Sequence, residues 1–141
     1  MTLRDVARYL VVKALVGRNI IEPLYEYLVL NKPISEVAER HGLTKNQLRG
    51  YADRIREKSF GSYARARAYL KALYPFIKKI KPIFICDEDG YCMCVLCKKV
   101  VGNGGYERHI ETNHLDVVVK HVYTIIESVR EKILNGRKVV E

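Results

Sequence analysis

Cys94 and Cys97 enclose two residues, eleven residues follow, and His109 and His114 enclose four. These are ligand spacings for tetrahedral zinc. Two thiolates can be presented from one tight knuckle and two imidazoles from the end of one helix. Zinc held by four protein donors keeps no position open for water or substrate, so the chemistry is structural rather than catalytic. No nucleophile–base pair, phosphate-cradling glycine loop or paired carboxylates stands out elsewhere. The acidic run Asp87-Glu88-Asp89 suits a solvated turn. The chain is expected not to be an enzyme and to have no small-molecule substrate.

This stretch resembles the C2H2 zinc finger. Val101 stands at the hydrophobic position after the second cysteine, and Tyr106 stands three before the first histidine, where leucine is usual. The central gap is one residue short, and Cys92, beside Tyr91, replaces the usual aromatic. The resemblance implies a Zn2+ site made by Cys94, Cys97, His109 and His114. Counting back from His109, the positions that touch bases in such fingers fall on Gly102, Gly105 and Arg108. Two of these have no side chain to offer, and glycines make a poor helix start. The finger is therefore read as a metal-stapled structural and interaction module.

The second constellation lies in Pro33–Lys58. The apolar residues Ile34, Val37, Ala38, Leu43, Leu48, Tyr51 and Ile55 fit a helix from Ile34 to His41 and a helix from Thr44 to about Lys58. Gly42-Leu43 makes the turn, with Gly42 supplying the left-handed backbone. Thr44 caps the second helix, with Gln47 three residues on as its capping-box partner. The segment resembles the helix-turn-helix of DNA-binding regulators and recombinases, at Ala38, Gly42, Thr44 and Leu48, and with the preceding helix a homeodomain-like unit. That resemblance places the second helix in the major groove. Its outward residues are Thr44, Lys45, Asn46, Arg49, Gly50 and Asp53. Asn46 is suited to adenine and Arg49 to guanine, while Lys45 and Arg56 are suited to phosphate.

The charge distribution fits that assignment. The chain of 141 residues carries a net charge of +9. Residues 1–81 hold 17 Lys/Arg against 7 Asp/Glu, and residues 82–141 hold 8 against 9. A basic surface confined to the first half seeks nucleic acid, with acidic membrane as the alternative. Apolar content of 48% is ample for a core. No signal peptide or membrane-length apolar run is visible. The expected location is cytoplasmic, on the nucleoid. Absence of Trp, a single Gln and abundant charge suit a thermophile.

The elements that must position these residues follow from periodicity. Thr2–Val16 reads as a helix capped by Thr2, with an apolar face of Leu3, Val6, Leu10, Val11 and Ala14, ended by Gly17. Asn19–Asn31 reads as a second helix with Pro23 in its first turn. Tyr63–Ile80 follows the cap Ser62, with Pro75 inside it and a kink expected near Tyr74, and its basic residues either follow the DNA backbone or are simply solvated. Lys81-Pro82 marks a boundary between a helical domain, 1–81, and a zinc-finger domain, 82–141. Ile83–Cys86 and Tyr91–Cys94 read as a hairpin with Gly90 left-handed, which sets Cys86 opposite Cys92. Free thiols are expected there. A cross-strand disulfide is geometrically possible, and Cys92 could replace Cys94 as a ligand. Leu115–Leu134 reads as a long helix, either separate or continuous from Tyr106, stopped at Asn135-Gly136 with Arg137-Lys138 frayed. Its wide apolar face suits packing on its own domain, a homodimer or a protein partner.

The fold class is thus mostly α: a helix-turn-helix bundle followed by a small ββα finger with a long C-terminal helix. The expected function is double-stranded DNA binding, in transcription regulation, through residues 44–58. The alternatives are an RNA- or ribosome-associated zinc protein and an adaptor of the transcription or recombination machinery.

Overall fold

The computed structural model describes residues 3–102 and 104–140, with side chains described up to residue 135. Thr2, the expected first cap, lies outside them. The described chain is mostly helical, with a three-stranded antiparallel sheet of order β1-β2-β3. The helices are α1 (Leu3–Val16), α2 (Ile21–Leu24), α3 (Ile34–Arg40), α4 (Lys45–Lys58), α5 (Tyr63–Ile77), α6 (Tyr106–Asn113) and α7 (Leu115–Val140). The strands are β1 (Phe84–Cys86), β2 (Cys92–Cys94) and β3 (Val100–Val101). Among the described residues no helix is long and apolar enough to cross a membrane.

α1 is the axis of the fold. Val6, Ala7, Leu10, Val11, Val12, Ala14 and Leu15 are all buried, so the helix is covered on more than the single face its periodicity suggests. The reason is its place: α4, α5, α6 and α7 all pack on it. One cluster of buried residues therefore runs from Val6 and Leu10 through Leu48, Ile55 and Leu70 to Val118, Val122, Ile125 and Val129 of α7. Burying each of those four α7 side chains contributes about 1.5–3 kcal/mol. That holds the first half of α7 on α1.

Several boundaries differ from expectation. The second helix is a short α2 that widens into a π-helical turn over Tyr25–Val29. It ends at Val29, and Asn31, two residues on, takes a left-handed φ of 57°. α5 stops at Ile77, two residues after Pro75, which has no N–H for the ladder. α7 continues past Asn135-Gly136 to Val140. One glycine costs a helix only about 1 kcal/mol and does not by itself end it.

The α3–α4 hairpin forms as its signals predict. Gly42 has φ 68°. The Leu43 N–H donates to the Ala38 carbonyl at 2.8 Å. The Gln47 N–H donates to Thr44 Oγ1 at 3.0 Å, and the Thr44 N–H to Gln47 Oε1 at 2.9 Å, completing the capping box. Val37 and Leu48 are fully buried between the helices.

Glu26, on the π-helical turn, ties this hairpin to the bundle. It accepts from Arg40 at 2.9 Å, and His41 Nε2 lies 2.6 Å away. The His41 hydrogen bond first, against opposition from burial and with help from Arg40 and Lys32, holds its carboxyl below the ordinary glutamate value. Such a carboxyl binds fewer protons folded than unfolded. Its contribution is present above the unfolded value and lost as pH falls through the folded one. Glu26→Gln should therefore flatten the acid limb of the melting temperature against pH, and cost up to about 1 kcal/mol near neutrality. An acid limb identical to the parent's would mean the contact does not persist in solution.

Candidate metal centre

The site is assembled by three elements. β2 delivers Cys94 at its end, the knuckle after it delivers Cys97, α6 delivers His109, and the residue that caps α6 is His114. The knuckle closes because the Lys98 N–H donates to the Cys94 carbonyl at 2.7 Å and the Cys94 N–H to the Lys99 carbonyl at 2.9 Å. Closure requires a left-handed φ of 64° at Lys98. After it the chain turns back as β3, a third strand absent from the expected two-stranded hairpin, pairing Cys92 with Val101 and Met93 with Val100.

His109 and His114 are five residues apart, which on a continuous helix would turn their side chains about 140° apart. The helix breaks instead. α6 ends at Asn113, and His114 leaves the helical region with φ −131° and ψ 32°. α7 begins anew at Leu115, so the two helices are separate. The two imidazole rings then meet with centroids 5.0 Å apart.

The ligand atoms of Cys94, Cys97, His109 and His114 all lie within 4.8 Å of one another. Cys94 Sγ is 3.3 Å from His114 Nε2, and Cys97 Sγ is 3.4 Å from His109 Nε2. Zinc–sulfur and zinc–nitrogen bonds at a tetrahedral angle would set sulfur and nitrogen about 3.6 Å apart. One small ion fits between the four. Two thiolates and two imidazoles are a donor set consistent with zinc. Cys94 and His114 are buried, while Cys97 lies at the rim. Burial first, then the His114 and Lys99 charges, hold His109 below the usual histidine value, which favours the neutral ring a metal requires. Phe84 and Asn113 fix that ring: Phe84 meets it edge-on at 5.9 Å, and Asn113 Nδ2 lies 3.3 Å from Nδ1.

Cys86 and Cys92 are not free thiols. Gly90 is left-handed (φ 88°), Cys86 and Cys92 are directly opposed in register, and the two form a disulfide. That removes Cys92 as a substitute ligand for Cys94.

The residues expected to face DNA divide into two groups. Thr44, Lys45, Asn46 and Arg49 are exposed on the first half of α4, and Arg49 donates to Asn46 Oδ1 at 3.4 Å. Asp53 and Arg56 are half-buried and tied to the next helix. Tyr63 Oη donates to Asp53 at 3.4 Å, and the Arg56 guanidinium lies 5.1 Å from the Tyr63 ring centre. Arg54, which the helix-turn-helix resemblance does not single out, is exposed on the opposite flank of α4. Helical spacing places it in line with Gln47 and Tyr51, and that spacing is the sequence signal for it. Compared with protein-family models, curated proteins and solved structures, the chain matches none.

Proposed function

We propose that the chain is a double-stranded DNA-binding protein, a transcription regulator acting on the nucleoid, which reads DNA through α4. In this reading α3, the Gly42 turn and α4 form a helix-turn-helix. Residues 92–114 form a zinc-bound finger that is structural and does not read bases. The observation that carries it is the exposed, capped first half of α4, which presents Lys45, Asn46 and Arg49 from a rigid hairpin in the basic half of the chain. Asn and Arg there match the donor and acceptor edges of adenine and guanine. Zinc, when bound, supplies a crosslink between β2, the knuckle and α6. Cys94, Cys97, His109 and His114 would hold it.

Competition of a labelled DNA duplex against unlabelled duplex DNA, duplex RNA and single strands tests this directly. Duplex DNA should compete best, and affinity should fall steeply with salt, because the counterions released on binding gain less entropy as the salt concentration rises. Stronger competition by RNA would favour the RNA-associated alternative.

The division of labour gives a second expectation. Gly102 and Gly105 lie ahead of α6 rather than on it, and Arg108 alone of the three finger positions has a side chain. Arg108→Ala should change duplex affinity less than about twofold, whereas Arg49→Ala should cost about 1–3 kcal/mol. Fluorescence anisotropy on one duplex compares them. The reverse order would make the finger the reader.

A partner contact through α7 is a second role. Leu115, Val119, Tyr123, Ile133 and Leu134 remain exposed on it. Such a stripe suits a second copy or a protein of the transcription machinery.

A further inference from the structure

Between α1, α4 and α6 lies a cleft of about 420 Å³ that neither Lys45 nor Arg49 lines, and Asn46 is the one proposed base-reading residue that borders it. Gln47, Tyr51 and Arg54 of α4 line it, facing Tyr9 and Lys13 of α1 and Glu107 of α6. Lys13 is its fixed point. The ammonium sits 5.6 Å from the Tyr9 ring centre and 5.7 Å from that of Tyr51, and the side chain is only 16% exposed. Its stem is packed and its charge is held in one place by two ring faces. Lys58 approaches the Tyr9 ring at 5.6 Å. Burial first, against the nearby Arg54 guanidinium, pushes the Tyr9 hydroxyl up to about 12, so it stays a neutral hydrogen-bond donor.

An ordered ammonium, a guanidinium and a phenol around a solvent-open cleft are the groups that hold a phosphate oxygen. The cleft's own carboxylate already answers them. Glu107 forms an ion pair with Lys13 while remaining 47% exposed. An ion pair with one arm in water is weak and readily exchanged. The position also fits. Arg54 and Gln47 lie on the flank of α4 opposite Lys45 and Arg49, and a helix seated in a major groove has a backbone strand on each side. A second cleft of about 290 Å³ shares Tyr9, Lys13 and Glu107 with it and is lined besides by Arg8, Lys58, Asp5 and Glu111.

We propose that this cleft seats a backbone phosphate of duplex DNA, with Lys13 and Arg54 as its cationic contacts and Glu107 as a competitor that the phosphate displaces. The inference rests on the chain binding duplex DNA. It extends the interface from α4 to α1, and it makes the finger helix a regulator of affinity rather than a reader. The finger half of the chain, net acidic, then lowers non-specific binding by occupying one phosphate position in the free protein.

The test is a double-variant cycle on the zinc-loaded protein, measured by anisotropy of a fluorescent DNA duplex over a salt series. Glu107→Gln, an isosteric change at an exposed residue, should tighten binding roughly three- to tenfold at low salt. It should also steepen the slope of log affinity against log salt by about one phosphate contact. Lys13→Gln should weaken binding and flatten the slope by a similar amount. Glu107→Gln added to Lys13→Gln should then change nothing further. Arg54→Gln, at an exposed residue whose loss opens no cavity, should repeat the Lys13→Gln result if Lys13→Gln fails to fold. A parent-like affinity for Glu107→Gln, or an equal gain with and without Lys13, overturns the proposal. So does a gain seen on duplex RNA alone. Failure of α4 as reader is distinguishable. In that case changes at Lys45 and Arg49 leave binding intact while the Glu107→Gln gain persists.

Discussion

Cys97→Ser should abolish metal binding and lower the melting temperature by about 10 °C or more, the stability loss of several kcal/mol expected of a structural zinc site. Cys97 is the sharpest choice of the four ligands. It lies at the rim of the site, whereas Cys94 is fully buried and its loss would also disturb the core. The rest of the module shows why the effect should be large. β3 has two residues, α6 has eight, and α6 contributes one fully buried side chain, Ile110. Too little apolar surface is buried there to order residues 92–114 unaided. The Cys86–Cys92 disulfide closes only the hairpin before the knuckle and does not reach α6. Chelation of the parent should therefore act like Cys97→Ser. Thiol-reactive dye should then label two cysteines, Cys94 and Cys97, with Cys86 and Cys92 unreactive until reductant is added. Bundle helicity should survive, because α1, α4 and α5 pack through Val6, Leu10, Leu48, Ile55 and Leu70, none of which is a ligand or lies within residues 92–114. A stoichiometry near zero in protein purified without chelator, or a melting curve indifferent to chelator, would defeat the metal assignment.

Local chemistry is the part of this molecule that is legible in its sequence. The Cys and His spacings, the Thr44–Gln47 capping box, the Gly42 turn and the Cys86–Cys92 register each depend on residues within a short stretch of chain. All four sets meet in the structure as spaced. The illegible features depend on distant partners or on small backbone differences. The π-helical turn at Tyr25–Val29 leaves nearly the same apolar pattern as an α-helix over so short a stretch. The break at His114 has no glycine or proline to announce it, and it follows from the need to turn His114 toward Cys94. At Cys86 and Cys92 free thiols are the expectation for a reducing compartment, but the directly opposed register brings the two sulfurs together. The Lys13–Glu107 pair joins residues nearly a hundred positions apart, and no periodicity encodes it. Arg54 escapes the helix-turn-helix pattern because that pattern weights the first turns of α4, and Arg54 lies on the opposite flank.

Lys45→Glu combined with Arg49→Glu should remove duplex DNA binding, by at least about a hundredfold, while leaving the fold intact or slightly stabilised. The loss follows from two sites worth about 1–3 kcal/mol each, with charge reversal adding repulsion from phosphate. Stability should move in the other direction. Lys45 begins α4, and the first turn of that helix holds no acidic residue. A cation there faces the positive end of the helix dipole, and replacing it with Glu should stabilise α4 by about 0.3–1 kcal/mol. Lys45 and Arg49 are exposed, and the capping box is made by Thr44 and Gln47 alone. The Arg49–Asn46 hydrogen bond is long and solvent-exposed, so its removal offsets little of that gain. A residue unfavourable to its own helix at an exposed position is better explained by a bound anion than by folding. The decisive measurement pairs anisotropy on duplex DNA with thermal melting of the same variant. Abolished binding with an unchanged or raised melting temperature would place α4 in the interface. Binding equal to the parent's would remove it.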